Sequence, residues 1–156
     1  MDEIHPGVKT LDHTADVGFE VHGATLAELF HRSAMGMMAL IRGADLGEAP
    51  DQVDAPDAEP RAPYATGEWR RIAVEAEDTA GLLVGWLREL LLLHEMRRFD
   101  YQGARFQTLD DNQLIARVGG GPDARPPVRE IKGVTYHGLR VEPEDGGWRA
   151  RVIFDV

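Results

Sequence analysis

The 156-residue chain contains no cysteine. That excludes disulfides, thiolate zinc sites and a cysteine nucleophile. No stretch reaches the roughly 18 consecutive apolar residues of a membrane span. The nearest, from Gly81 to Leu93, is interrupted by Arg88 and Glu89. The opening Met1-Asp2-Glu3-Ile4-His5-Pro6 is acidic where a signal peptide is basic, and no apolar core follows it. A cytoplasmic protein without membrane contact is therefore expected. Positive charge is scarce as well. Lys and Arg number 17 against 27 Asp and Glu, a formal charge of -10. An acidic chain is repelled by phosphate backbones, so direct nucleic-acid binding over a broad surface is not expected. A basic protein partner or a cation fits better, although the same charge also serves solubility. The histidines show no HxxxH or HExxH spacing. Gly119-Gly120-Gly121-Pro122 is not a phosphate loop, because no Lys-Ser/Thr pair or helix start follows it.

Hydrophobic residues make up 43% of the chain, enough for a core, and the length suits one ordinary domain. Val17, Phe19 and Val21 alternate with Gly18, Glu20 and His22, the period of a half-buried strand. Thr25-Leu26-Ala27-Glu28 fits a capping box. It opens a helix carrying Leu26, Leu29, Phe30, Met37, Leu40 and Ile41 at helical spacing, with Gly43 as its stop. The methionines at 35, 37 and 38 read as core filler.

From about 43 to 69 the character changes. Pro50, Pro56, Pro60 and Pro63 mix with acids at 45, 48, 51, 54, 57, 59 and 68. The stretch has little periodicity and reads as an acidic, Pro-rich loop inserted within a single domain of residues 1–156. Strand character returns with Ile72, Val74 and Ala76 on one face. Asp78 or Thr79 then caps a second helix, apolar almost all round, that ends near Arg97. The last third reads as strands, with a hairpin around Asp110-Asp111-Asn112, a loop over 119–127, and a turn at Glu144-Asp145-Gly146-Gly147. The expected fold is α+β, a largely antiparallel sheet with both helices packed on one face.

Two places gather chemistry. Asp12, His13, Thr14 and Asp16 put two carboxylates, an imidazole and a hydroxyl within five residues, just before a strand. Carboxylate oxygens suit hard cations, but Asp and Thr are equally ordinary turn formers. On the final strand Trp148, Ala150, Val152 and Phe154 share the core-facing parity. Asp155 falls on the other parity, with Arg149, Arg151 and Ile153. Asp16 likewise has opposite parity to Val17, Phe19 and Val21. If the first and last of these strands are neighbours, both carboxylates share one side. Val156 adds backbone and terminal carboxylate oxygens there.

Three blocks then resemble the archease family. They are Leu11-Asp12-His13-Thr14-Ala15-Asp16-Val17, Glu130-Ile131-Lys132-Gly133-Val134-Thr135-Tyr136-His137 and Trp148-Arg149-Ala150-Arg151-Val152-Ile153-Phe154-Asp155-Val156. With the helix patterns between them, the resemblance spans nearly the whole chain. It implies a single archease-like domain and a metal site at Asp16, Asp155 and Val156. The implied ion is calcium, with magnesium or manganese as alternatives. It further implies a non-catalytic accessory that activates an RtcB-type RNA ligase, promoting its guanylylation and repeated turnover in tRNA splicing or RNA repair. Asp12 reads as a turn former or supporting residue. Lys132 reads as a solvated residue or a contact near the metal. The 43–69 insertion is longer than the resemblance leads one to expect.

Two other functions compete. A stand-alone metal-dependent hydrolase would use Asp12, His13 and Asp16 to activate a water. A general chaperone or assembly factor would use the apolar second helix as an interface. Burial of Leu82, Trp86 and Leu93 would remove the main support for the latter.

Overall fold

A computed structural model describes residues 3–5, 8–12, 16–43 and 68–156. For 3–5, 8–12 and Asp16 the description extends to strand pairing only. His13 to Ala15 of the first motif, and 44–67 of the acidic insertion, lie outside the described residues. The elements in chain order are β1 (Glu3–His5), β2 (Val8–Asp12), β3 (Asp16–Gly23), α1 (Leu26–Arg42), β4 (Glu68–Glu75), α2 (Thr79–Arg97), β5 (Phe99–Leu109), β6 (Gln113–Pro122), β7 (Gly133–Glu144) and β8 (Gly147–Asp155). All strand pairs are antiparallel, as the α+β reading requires. The strands divide between two sheets, ordered β1-β2-β3-β8-β7 and β4-β6-β5, and each sheet has its own helix. Two compact units result, residues 1–51 with 126–156, and residues 52–125.

In the first unit α1 packs on β3 and β8. The helix starts where Thr25 accepts a hydrogen bond from the Glu28 amide at 3.1 Å. It stops where Gly43 turns left-handed, φ 63°, with its amide directed at the Ala39 and Leu40 carbonyls. Arg129 closes the same end: its guanidinium donates to Leu40 O at 2.7 Å, and the Val128 and Arg129 amides donate to Ile41 O. Those bonds hold 128–129 against the helix end, and β7 begins only at Gly133. Phe19 and Phe154 fill the sheet's helix side, ring centroids 5.5 Å apart. Gly36 admits the Phe19 ring, since a Cβ there would lie 2.9 Å from it. Thr25→Ala is expected to cost about 1 kcal/mol, the usual worth of an N-cap. Thr25→Asp should restore it, both read from denaturation midpoints.

In the second unit α2 packs on β4, β5 and β6. Asp78 caps it, accepting from the Gly81 amide at 2.8 Å. Leu82, Leu83, Val84, Trp86, Leu87 and Leu90 are fully buried, whereas Leu93 is half-buried and Leu92 and Met96 are exposed. An all-apolar helix is thus mostly core rather than an open interface. At the β5–β6 hairpin the Asp110 carboxylate accepts from the Asn112 and Gln113 amides. Those bonds hold its carboxyl below the ordinary value. Their contribution is present at neutral pH and is lost as pH falls through that lowered value. The segment 119–122, read as loop, completes β6. Its glycines serve close approach rather than a turn: a Cβ on Gly119 would run into the Trp69 ring, and one on Gly120 into the Asp100 carbonyl. Asp100 and Asp123, both buried, are tied in by Gln102 and by the Arg125 fork.

Candidate metal centre

The sequence leaves open whether the strands carrying Asp16 and Asp155 are neighbours. They are. β3 and β8 pair along their whole length, and the register sets Asp16 directly opposite Asp155, Val17 opposite Phe154, and Gly18 opposite Ile153. The parity reading of β8 holds along most of the strand: Ala150, Val152 and Phe154 are buried, Arg149 and Asp155 are exposed, while Trp148, beside the turn, is only half-buried. Ile153 departs from it, being buried on the outer face. The reason lies in β7, which spends the four residues 136–139 opposite Val152 alone. Within this bulge Gly138, at φ 74°, comes so close that a Cβ there would lie 3.3 Å from the Ile153 side chain.

Asp155 is pinned from its other side by the start of β7. Gly133 is its register partner, and the Lys132 amide donates to Asp155 O at 2.8 Å. The carboxylate itself lies over Gly133, with Oδ2 3.8 Å from where a Cβ would be. Val156 follows, also exposed. Sequence reading did not anticipate this support from Gly133 and the Lys132 amide, because it depends on the β7–β8 register. The Lys132 side chain is exposed and forms no ion pair among the described residues.

Residues directly opposite in an antiparallel pair have Cβ atoms about 4.5–5.5 Å apart, and like charges there are destabilising. An Asp in register opposite an Asp is therefore a place where a cation would be favoured. The donor set fits a hard divalent ion: two carboxylates and the main-chain oxygen of Val156, with the remaining positions left to water. Among the described residues no three His, Cys, Asp or Glu side chains gather, so a metal held here would rest on this pair and the terminal residue. Asp12 ends β2 opposite Val17. That register puts position 12 on the other pleat from position 16, which suits a supporting residue better than a ligand.

Residues 9–156 match the model of the Archease protein family (MTH1598/TM1083). The chain is 33% identical to Protein archease of Thermococcus gammatolerans, covering 93% of this chain and 95% of that one. It is 30% identical to Protein archease of Methanothermobacter thermautotrophicus, covering 96% and 99%. Among solved structures, it is similar to Methanobacterium thermoautotrophicum protein 1598, with TM-score 0.66, 27% identity, and 96% and 99% of the two chains covered. It also shares its fold with a Thermotoga maritima protein described as an archease, possible chaperone, with TM-score 0.54, 19% identity, and 95% and 96% covered.

Proposed function

The chain belongs to the archease family, and on that premise we propose that it is a metal-binding, non-catalytic activator of an RtcB-type RNA ligase. The observation that carries the reading is the register pairing of Asp16 with Asp155. A bound divalent cation would neutralise the two carboxylates and tie the ends of β3 and β8 together. Calcium fits these oxygen donors, and magnesium and manganese accept the same kind of ligand. The Asp155 main chain is fixed between β3 and the Lys132 amide, which sets where its side chain leaves the strand. Tyr136 and His137, exposed in the β7 bulge, offer contact area to a protein partner. The formal charge of -10 supports leaving RNA to the ligase. Action in the cytoplasm is part of the same reading, and no described helix is long and apolar enough to cross a membrane.

The chaperone reading draws support from the description of the Thermotoga maritima protein. Its main physical basis here, a free apolar helix, is weakened by the burial of Leu82 and Trp86. The deciding experiment adds the purified chain to an RtcB-type ligase from the same cells. Faster ligase guanylylation and ligation beyond one turnover per ligase are expected. A ligase that behaves identically with and without the chain overturns the proposal.

A further inference from the structure

The outer face of the five-stranded sheet holds a second charged cluster, apart from Asp16 and Asp155. Glu20, Arg140, Glu142, Arg149 and Arg151 line a cleft of about 200 Å³. The register sets Arg151 opposite Glu20 on β3 and opposite Arg140 on β7, and sets Arg149 opposite His22 and Glu142.

The two halves of the cluster differ. Around Arg149 the charges are matched. Its guanidinium donates to Glu142 at 3.1 Å and lies 4.0 Å from Glu144, whose other oxygen meets His22 Nδ1 at 2.6 Å. Around Arg151 they are not. Among the described residues, neither Arg140 nor Arg151 makes a side-chain hydrogen bond or ion pair, and Arg151 Nε is buried without a partner. Glu20 stands opposite Arg151 in register yet forms no ion pair with it. Two guanidinium side chains face each other across β7 and β8, where like charges repel. A buried donor without an acceptor adds a further cost.

An oxyanion between the two arginines removes both costs. The planar guanidinium fork matches such oxygens, often with two bonds per arginine. Glu20 is the one carboxylate of the cleft that no guanidinium engages among the described residues, so Arg140 and Arg151 keep one positive charge in excess, and the several oxygens of a phosphate give both forks acceptors where a carboxylate offers two. The cleft is smaller than the roughly 300–1,000 Å³ of pockets that enclose whole small ligands, so it admits one phosphate group and leaves the rest of any larger molecule outside. We propose that this cleft binds a phosphate group, held by Arg140 and Arg151, with Arg149 fixed beside it by Glu142 and Glu144. The site is separate from the acidic pair. Arg151 and Asp155 are four residues apart on one strand, about 13 Å at the usual rise, with Ile153 between them, so the inference does not rest on the proposed function.

The test is an amide-shift titration of the full chain with inorganic phosphate, against sodium chloride at matched ionic strength. Saturable shifts are expected around Glu20, Arg140, Arg149 and Arg151. Arg140→Gln/Arg151→Gln should weaken binding tenfold or more, while Arg70→Gln, on the other sheet, leaves it unchanged. In chloride alone the double variant should melt no lower than the parent, because a repulsion has been removed. The single variant Arg140→Gln, at an exposed position, gives the same reading with the least risk to folding. Tighter saturation by ATP than by phosphate would identify a nucleotide phosphate as the source, and the reverse a free ion; either keeps the assignment. Shifts reproduced by chloride, or saturation that survives the double variant, would overturn it.

Discussion

Saturating calcium is expected to raise the thermal midpoint of the chain by roughly 5–10 °C. An ion present at about a hundred times its dissociation constant stabilises the native state by about 2.7 kcal/mol, and each kcal/mol moves the midpoint of a domain this size by about 2–4 °C. The same site makes a second expectation with the opposite sign. Without metal, the directly opposed Asp16 and Asp155 repel. Asp155→Asn should therefore melt slightly above the parent in chelator, by about 0.2–1 kcal/mol on the scale of cross-strand pairs, and well below it in calcium. This crossing is the signature of a cation held between two carboxylates. Equal calcium shifts in parent and variant would place the ion elsewhere or nowhere.

Trp86→Ala is expected to cost about 3–5 kcal/mol, the range for truncating a large buried aromatic. Trp86 is fully buried, meets Tyr101 edge-on at a centroid distance of 5.9 Å, and meets Phe106 at 5.2 Å. All three lie in the unit formed by 52–125, whose sheet has only three strands. Against a total stability of about 5–15 kcal/mol for an ordinary domain, such a loss takes away a large share. Trp86→Phe should cost less, because an aromatic ring remains to face Tyr101 and Phe106. A denaturant series that places Trp86→Ala within about 1 kcal/mol of the parent would contradict the burial.

Local signals made the helices legible. Thr25 and Glu28 open α1, Gly43 closes it, and Asp78 opens α2, because capping chemistry acts within four residues of chain. Pleat parity sorted β8 correctly except at Ile153, whose cover comes from a bulge in another strand. β1 and β2 gave no alternation to read: Val8, Thr10 and Asp12 share one pleat, Lys9 and Leu11 the other. The partition into two sheets was likewise out of reach, since it depends on which strands pair across long sequence separations. The candidate site divides in the same way. Asp16 and Asp155 stood out by composition and parity, but their opposition required the β3–β8 register. The Arg140–Arg151 pairing follows from the Glu144–Gly147 turn, since the register runs unbroken from there to Arg140; the extra residues of β7 lie beyond it and displace only the pairings past it, that of Gly133 with Asp155 among them.

The decisive measurement is the rate of ligase guanylylation in the presence of Asp16→Asn and Asp155→Asn, each shown to be folded. The proposed role predicts that the parent chain accelerates guanylylation and that each variant loses at least tenfold of that acceleration, leaving the ligase's own rate untouched. Full acceleration by both variants would contradict it.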